Sequence, residues 1–517
     1  MLSKVYCAAC NGIEAYTVTI ETDVSDGICF FLVGLPDSAV KESQQRIGSA
    51  LAKFGYRIPG KRIVVNMAPA SVRKEGSSFD MPIGLGIICA SGQISGRGIS
   101  QEILNEFIVM GELALDGSLR PMKGALPIAM HARECGFKSC IFPSSSAAEA
   151  AEVAGITVFG AQNVGEVIEI LLSPEEFCDK IVTIGDDLPE GEIKYDYDFA
   201  DVIGQTEAKR GLEIAAAGAH NVIMVGSPGC GKTFLAKAVP SILPPMDIDE
   251  ALETGKIYSV SGLLNASQGL TRKRPFRSPH HSSTVASLVG GGINGLPGEI
   301  SLAHNGVLFA DEFPEFGRCV LEILRQPLEE GFVSISRVKA KSLYPASFML
   351  IAAMNPCPCG HLIDDPSKCT CSSSAVAKYM GKISGPLMDR IDIQLVLHKV
   401  PEEALVSAKR EEPSGCIAER VAAARKIQIE RYKNEHFYTN SRIPPSQLSS
   451  YCKLGSSEKR YMTQMIAGLK ISARGYSRIL KISRTIADLD GEEFISLKHI
   501  SEALQFRKLD KTMENYL

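Results

Sequence analysis

The stretch Gly226-Ser227-Pro228-Gly229-Cys230-Gly231-Lys232-Thr233 decides the fold of this chain. It fits G-x-x-x-x-G-K-[ST], the phosphate-binding loop of nucleotide triphosphatases. Residues 221–225 before it form an apolar run that predicts a buried strand, and residues 234–239 after it predict a helix. A chance match in a glycine-rich loop would lack this strand–loop–helix setting. We therefore predict an α/β nucleotide-binding domain around this loop.

Two side chains of the loop predict its cofactors. Lys232 can reach the β and γ phosphates of a nucleotide, and Thr233 can ligate Mg²⁺. We therefore predict ATP and Mg²⁺ as cofactors. The rest of the loop is expected to surround the phosphates with backbone N–H groups at a helix N-terminus. These residues are Gly226, Ser227, Pro228, Gly229, Cys230 and Gly231.

The composition is typical of a globular protein with several domains. The chain has 517 residues, of which 45% are apolar and 22% are charged, and this length corresponds to roughly two to four domains. No apolar run reaches the ~18 residues of a membrane span, and the N-terminus lacks a signal-peptide pattern. We expect a cytoplasmic protein without a membrane partner. Because the net charge is −4, any nucleic-acid site would have to be local.

Four segments are predicted along the chain. Residues 1–172 alternate strand-like and helical runs and predict an α+β domain. Residues 173–201 contain ten acidic residues and two lysines from position 175 onward, and they predict an acidic linker, although part could be one face of a short helix. Residues 202–400 form the α/β domain around the phosphate loop. Residues 401–517 are rich in helix formers and predict a helical domain.

Polar residues follow two further predicted strands of the α/β domain. Residues 307–310 are apolar and lead into Asp311 and Glu312. Asp311 would hold Mg²⁺ and Glu312 would polarise the attacking water, unless the strand merely ends in an acidic turn. Residues 348–354 lead into Asn355, whose amide can orient that water. The alternative for Asn355 is a capping role.

Two arginines are further candidates for contacting a nucleotide. Arg390 precedes a predicted strand and can act in trans as an arginine finger, whereas an ion pair with Asp389 or Asp392 is the alternative. Arg474 begins an amphipathic helix and can reach nucleotide phosphates from a lid, unless it is simply exposed to solvent. Apolar residues recur at helical spacing in that helix, namely Ile479, Leu480, Ile482, Ile486 and Leu489.

The order of these elements resembles AAA+ ATPases of the magnesium-chelatase-like branch and, more narrowly, the YifB/ComM family. Three further stretches match that family's signatures: residues 274–281 (Arg-Pro-Phe-Arg-Ser-Pro-His-His), residues 297–304 (Pro-Gly-Glu-Ile-Ser-Leu-Ala-His) and residues 355–360 (Asn-Pro-Cys-Pro-Cys-Gly). Residues 202–205 (Val-Ile-Gly-Gln) match the AAA+ element near the adenine. The resemblance covers essentially the whole chain, with Ala310 as a small departure from the family's larger aliphatic residue.

The resemblance implies an architecture and an activity. It implies a Lon-protease-like α+β domain at the N-terminus, a central AAA+ core and a C-terminal helical lid, in a hexameric ring that acts on DNA. Ile203 and Gly204 would then bind the nucleotide, Arg390 would act on a neighbouring subunit's ATP, and Arg474 would sense nucleotide. Since ComM proteins are helicases that drive branch migration during transformation, the resemblance also implies a DNA helicase of recombination or transformation.

The insertion at residues 263–306 resembles the hairpin that such motors extend into the ring pore. It is locally basic with an interleaved aromatic residue, so phosphate contacts and base stacking are both available. A structural loop whose arginines meet acidic residues of the same domain is the alternative. The candidate DNA contacts are Arg274, Phe276, Arg277, His280 and His281.

Four cysteines close together predict a structural metal site. Two C-x-C pairs are separated by nine residues, and four thiolates can close a tetrahedral Zn²⁺ site. His361 could replace one ligand, and a loop of reduced cysteines is the alternative. The candidate zinc ligands are Cys357, Cys359, Cys369 and Cys371.

The N-terminal block raises the question of proteolysis. Ser78 lies where Lon proteases carry their nucleophile, but Leu126 stands at the position of their catalytic lysine, and the nearby Lys123 does not match it. Because a serine needs a base to become nucleophilic, we expect a binding or ring-building module instead of a protease.

Three functions remain open from the sequence. An ATP-driven DNA motor is the leading hypothesis, and a protein-remodelling motor is the second. A metal-chelatase motor subunit is the third, and the Lon-like domain argues against it because true chelatase motor subunits lack one.

Overall fold

A computed structural model describes residues 2–71, 74, 76–94, 98–182, 193–264, 269–292, 295–336, 341–401, 411–469 and 471–507. The chain is divided into two compact units. One unit is Met1–Glu190 with Ile248–Arg272, and the other is Gly191–Asp247 with Lys273–Leu517. Parts of the predicted linker (183–192) and of the predicted lid (402–410, 470 and 508–517) lie outside the described residues.

Strands and helices alternate through the N-terminal part of the chain. The order is β1 (Leu2–Asn11), β2 (Glu14–Ser25), β3 (Cys29–Val33), α1 (Ser38–Lys41), α2 (Ser43–Lys53), β4 (Arg62–Ala68), α3 (Asp80–Ser91), α4 (Gln101–Leu104), β5 (Phe107–Val109), β6 (Glu112–Leu113), β7 (Leu119–Arg120), α5 (Ala125–Glu134), β8 (Ser139–Pro143), α6 (Ser144–Ala151), β9 (Thr157–Ala161) and α7 (Val164–Leu172).

Seven of these strands form a mixed sheet in the order β3-β4-β2-β1-β5-β8-β9, and β6 pairs with β7 separately. The β1–β2 and β2–β4 pairs are antiparallel, whereas β5, β8 and β9 pair in parallel. In β4 exposed or half-buried residues alternate with buried ones, as expected of a strand with one face on the core. Helix α3 is buried almost all round and packs on β1 and β2. Together they confirm a mixed α/β fold for this part of the chain.

The remaining part of the chain begins as α/β and ends as helices. Its order is α8 (Thr206–Gly218), β10 (Val222–Gly226), α9 (Lys232–Ala238), α10 (Ile248–Ser261), β11 (Phe276–Arg277), α11 (Val285–Val289), β12 (Gly290–Gly291), β13 (Leu296–Pro297), α12 (Glu299–Leu302), β14 (Val307–Ala310), α13 (Arg318–Ile323), α14 (Arg325–Glu330), β15 (Phe332–Ser336), β16 (Lys341–Pro345), β17 (Met349–Met354), α15 (Ser373–Met380), α16 (Gly385–Met388), β18 (Ile393–Leu397), α17 (Ser414–Tyr432), α18 (Leu448–Tyr451), α19 (Ser456–Leu469), α20 (Ala473–Leu489) and α21 (Leu497–Gln505).

The second unit is built on a five-stranded parallel sheet in the order β11-β14-β17-β10-β18. Every residue of β10, β14 and β17 is buried. Continuous apolar strands of this kind are characteristic of parallel sheets covered on both faces, which is why their sequence shows no alternation. The predicted parallel α/β domain is confirmed.

Helices at the C-terminal end pack onto this sheet unit. The described residues after Leu397 contain helices and no strand, which confirms the predicted helical region. In α20 the apolar residues Ile479, Ile482 and Ile486 are fully buried and belong to one core with α8 residues such as Leu212. The predicted amphipathic helix therefore attaches the helical region to the α/β sheet.

Helix α10 belongs to the first unit although second-unit residues flank it on both sides. Gly255 lies against Leu126 and Leu270, where a Cβ would come within 3 Å of each side chain. Glu149 accepts hydrogen bonds from the Ala125 amide and the Ser259 hydroxyl. The local sequence pattern contains no signal for this assignment. Among the described residues, no helix combines the length and the apolar character needed to span a bilayer.

Candidate nucleotide-binding site

The phosphate loop joins the end of β10 to the start of α9. Gly231, with φ of 91°, precedes the first helical residue, Lys232. The Lys232 ammonium is largely buried and donates to the carbonyls of Gly226 at 2.7 Å and Ser227 at 3.0 Å. It also donates to Oδ1 of Asn355 at 3.2 Å. The lysine predicted from the motif therefore lies at the centre of the loop, where it can bind phosphate oxygens.

The register of the parallel sheet places Asn355 beside this loop. Val225 of β10 pairs with Met354 of β17, so Gly226 and Asn355 are the next residues of adjacent strands. The carboxyl ends of parallel strands lie at one edge of the sheet, where α/β proteins bind ligands. The predicted Asn355 side chain is thus positioned by β17 next to the lysine.

Thr233 and Asp311 form the second contact across this edge. The Thr233 hydroxyl donates to Oδ2 of Asp311 at 2.8 Å. Asp311 directly follows β14, which pairs with β17 from Val307 to Ala310. A hydroxyl and a carboxylate oxygen in contact are ligands of the kind that Mg²⁺ prefers. These two residues fit the predicted Mg²⁺ site.

Glu312 has an unusual backbone and an unforeseen partner. Its φ of 50° lies in the left-handed region, which is uncommon for a residue with a side chain and recurs at functional sites. Its Oε2 lies 3.0 Å from Nδ1 of His281. His281 was predicted only as a DNA contact, because it lies 31 positions before Glu312 and the sequence does not reveal their proximity. The histidine holds the carboxylate at the edge of the site.

The predicted adenine element lies against the phosphate loop. The side chain of Gln205 donates to the carbonyl of Cys230 at 3.2 Å and to the carbonyl of His398 at 2.6 Å. The amide of Gly204 donates to Oε1 of Glu411 at 3.1 Å. Ile203 and Gly204 are half-buried and can therefore contact a ligand. The next residue, Gln205, is hydrogen-bonded to the phosphate loop.

Both predicted arginines are paired inside the chain. Arg390 donates to the carbonyl of Pro386 at 2.6 Å and forms an ion pair with Glu329. Arg474 is 65% exposed and donates to Asp389 at 2.9 Å. The ion-pair partner of Arg390 is therefore neither of the carboxylates considered from the sequence. Their roles toward nucleotide stay predictions.

The candidate DNA residues differ in what they contact. Arg274 donates to the carbonyls of Pro244 and Asn305 at 2.6 and 2.8 Å. Arg277 binds both carboxylate oxygens of Glu299 at 2.7 Å. The ring of Phe276 stacks on Phe309, with centroids 6.0 Å apart.

The two histidines at the end of this segment are oriented differently. His280 is exposed, and its ring centroid lies 4.1 Å from that of His281. His281 is half-buried and contacts Glu312. The arginines and Phe276 thus support the fold of the segment, while His280 is the candidate whose side chain is open to solvent.

The four predicted zinc ligands converge. The sulfur atoms of Cys357, Cys359, Cys369 and Cys371 all lie within 4.8 Å of one another. Three of the separations are 3.4, 3.8 and 3.6 Å. Sulfurs bound to one Zn²⁺ at ~2.3 Å in a tetrahedron lie ~3.8 Å apart. Backbone N–H groups of His361 and Thr370 lower the pKa of the Cys359 thiol to about 6. The cluster therefore fits a tetrahedral metal.

In the described part of the first unit, Ser78 and the nearby lysines do not form a catalytic pair. Leu126 is fully buried, and the Lys123 ammonium donates to the carbonyl of Ser261 at 3.3 Å. Lys74 is also buried and donates to the carbonyl of Pro69. Among the described residues, no hydrogen bond joins Ser78 to a lysine.

Comparisons with known proteins agree with this arrangement. The profile of the family "Magnesium chelatase, subunit ChlI" matches residues 198–405. The profile "Subunit ChlI of Mg-chelatase" matches residues 20–146, and the profile of the ChlI C-terminal region matches residues 411–507.

Individual relatives of the ComM and YifB type match almost the whole chain, and a more distant one matches part of it. Competence protein ComM of Haemophilus influenzae is 41% identical over 516 residues, which cover 99% of each chain. Protein YifB of Escherichia coli is 39% identical over 516 residues, which cover 99% of this chain and 98% of its own. The maternal DNA replication licensing factor mcm6 of Xenopus tropicalis is 21% identical over 341 residues, 61% of this chain and 37% of its own. The chain belongs to the YifB/ComM family of magnesium-chelatase-like AAA+ proteins.

Proposed function

We propose that this protein is an ATP-hydrolysing ring motor of the cytoplasm that acts on DNA as a helicase or branch-migration factor in recombination or transformation. Two hydrogen bonds at one edge of the parallel sheet support ATP hydrolysis: Lys232 donates to Asn355, and Thr233 donates to Asp311. The relatives named competence protein ComM and DNA replication licensing factor mcm6 support the DNA part.

Each residue of the site has a task in hydrolysis. Lys232 and the loop amides bind the phosphates and stabilise charge that develops during transfer. Glu312 accepts a proton from the attacking water, while Asn355 orients that water. Thr233 and Asp311 would hold Mg²⁺, which neutralises phosphate charge when bound.

The proposed assembly is a homo-oligomeric ring, most simply a hexamer as in related AAA+ proteins. Arg390 would complete the site of a neighbouring subunit. In the single chain it pairs with Glu329, so it has to leave that carboxylate to reach a phosphate. Arg474 would respond to nucleotide from the helical lid through its exposed side chain.

The proposed DNA contact lies on the segment that ends in His280 and His281. His280 is exposed and can stack on a base or bind a phosphate. His281 connects the same segment to Glu312. DNA bound there would act on the residue proposed to activate water, which gives DNA a route to stimulate hydrolysis.

Two further assignments belong to this proposal. A Zn²⁺ ion would be bound by the four cysteines of the cluster. Its role would be structural and not catalytic, since four protein ligands leave no coordination position open. The N-terminal Lon-like unit would serve as a binding or ring-building module without proteolytic activity, because Leu126 stands where Lon proteases carry their lysine and no described lysine hydrogen-bonds to Ser78. A protein-remodelling motor and a metal-chelatase motor subunit are the competing functions.

Replacing Glu312 by glutamine tests the catalytic assignment. Glu312→Gln should bind ATP as well as the wild type but hydrolyse it about 100-fold more slowly or worse, because a general base is lost while the phosphate and Mg²⁺ ligands remain. Binding is measured with a fluorescent ATP analogue and hydrolysis by phosphate release. Glu430→Gln, at a 75% exposed helix position, is the matched control. Normal hydrolysis by Glu312→Gln would remove this residue from the mechanism.

Mixing variants tests whether Arg390 acts in trans. Arg390→Ala and Lys232→Ala should each lose hydrolysis alone, the first by about 1,000-fold. Mixed subunits should recover part of the activity, because a Lys232→Ala subunit can offer Arg390 to an intact phosphate loop. Arg460→Ala, at an exposed helix position, should hydrolyse ATP normally in the same assay. Absence of recovery in stable mixed oligomers would count against the finger.

Stimulation by DNA separates the motor hypotheses. Single-stranded or forked DNA should raise the ATPase rate at low salt, and the effect should weaken steeply with added salt because phosphate contacts release counterions. His280→Ala should need several-fold more DNA for half-maximal stimulation than His436→Ala, an exposed histidine of the helical region. A rate that no DNA structure changes at low salt would favour protein remodelling or chelatase function.

A further inference from the structure

The loop that carries the four cysteines has almost no apolar core of its own. It runs from β17 to α15, and Cys357 and Cys369 lie near its two ends. Between residues 361 and 371 every residue is half-buried or exposed. Apolar packing therefore cannot fix this loop, and the converging sulfurs are the strongest constraint on its shape.

One side of this loop packs directly on the phosphate loop. Gly360 has a φ of 82°, and a Cβ at this position would lie 2.6 Å from Cδ of Pro228. Because a side chain would not fit there, the backbone of Gly360, next to Cys359, packs directly on the ring of Pro228. The cysteine cluster and the phosphate loop are thus separated by one residue.

Asp364 connects the same loop to the nucleotide site through polar groups. Its side chain is 11% exposed, and Oδ1 lies 3.0 Å from Nδ1 of His398. Partial burial would raise the pKa of Asp364, but the Ser227 hydroxyl and the His398 side chain lower it. Ser227 Oγ and Asp364 Oδ2 are buried without a hydrogen bond of good geometry among the described residues. The influence of Ser227 on the Asp364 pKa places this carboxylate beside the phosphate loop.

The chain of contacts continues to the adenine side of the site. The carbonyl of His398 accepts a hydrogen bond from Gln205, which also donates to the carbonyl of Cys230. The cysteine loop consequently touches the phosphate loop at Pro228 and Ser227 and, through His398, the element that contains Gly204. It supports both ends of the proposed nucleotide site.

We propose that a Zn²⁺ ion bound by the four cysteines holds this loop against the phosphate loop, so that metal occupancy sets the affinity for nucleotide. The inference rests on the nucleotide and zinc sites proposed above. Without the metal, the polar loop loses the constraint that keeps Gly360 and Asp364 in place, and the phosphate loop loses its outer support.

The test uses the full-length protein and two independent readouts. Zinc per chain is measured by elemental analysis, and affinity is measured with a fluorescent ADP analogue. The wild type should contain one zinc per chain. Cys369→Ser/Cys371→Ser should lose the zinc and bind nucleotide roughly tenfold more weakly, as expected for losing one hydrogen bond to a charged group. Cys416→Ser, an exposed cysteine of the helical region, should match the wild type in both.

A second variant separates the metal from its effect. Asp364→Ala should keep one zinc per chain but weaken nucleotide binding by a similar factor. Stripping zinc with a chelator should lower the affinity, and adding Zn²⁺ should restore it while Mg²⁺ should not. Removal and re-addition of zinc tests whether the metal sets nucleotide affinity even if the cysteine variant fails to fold.

The results separate failure of the zinc inference from failure of the proposed ATPase function. Wild-type protein without zinc, or zinc-free protein with unchanged nucleotide affinity, would overturn the inference. Zinc-loaded wild type that binds no nucleotide would instead overturn the proposed ATPase function.

Discussion

The parallel register of β10, β14 and β17 is the constraint on which the rest of the site depends. It places the carboxyl ends of three buried strands side by side, so Gly226 at the end of β10, Asp311 after β14 and Asn355 after β17 lie at one edge of the sheet. The hydrogen bonds from Lys232 to Asn355 and from Thr233 to Asp311 follow from that register. A shift of one residue would separate these pairs and reverse the faces of the strands.

Carboxylates of the same chain pair with three cationic groups to which we assign a role. Arg390 pairs with Glu329, Arg474 with Asp389, and His281 with Glu312. Each contact occupies a group that the proposed mechanism needs elsewhere. A neighbouring subunit, nucleotide or DNA would have to compete with these exposed or half-exposed pairs, which are individually weak in water. The arrangement suits a motor whose activity depends on assembly and on its substrate.

Local sequence patterns predicted much of the fold because the decisive elements are local. The strand expected at 348–354 is β17, and the amphipathic helix expected around Ile479 is α20. A continuous apolar run and apolar residues at helical spacing both occur within a few consecutive residues, so the sequence alone predicts these elements. Contacts between residues that are far apart in the sequence could not be predicted from local patterns. The pairing of His281 with Glu312, the engagement of Arg277 by Glu299 and the association of α10 with the first unit depend on tertiary packing.

We propose that one chain supplies an incomplete ATPase site that a second chain completes. The most direct measurement is ATP hydrolysis per chain as a function of protein concentration, with oligomer mass recorded on the same samples. We expect low activity for monomers and a steep rise in activity that coincides with assembly. Equal activity per chain in monomers and oligomers would contradict it.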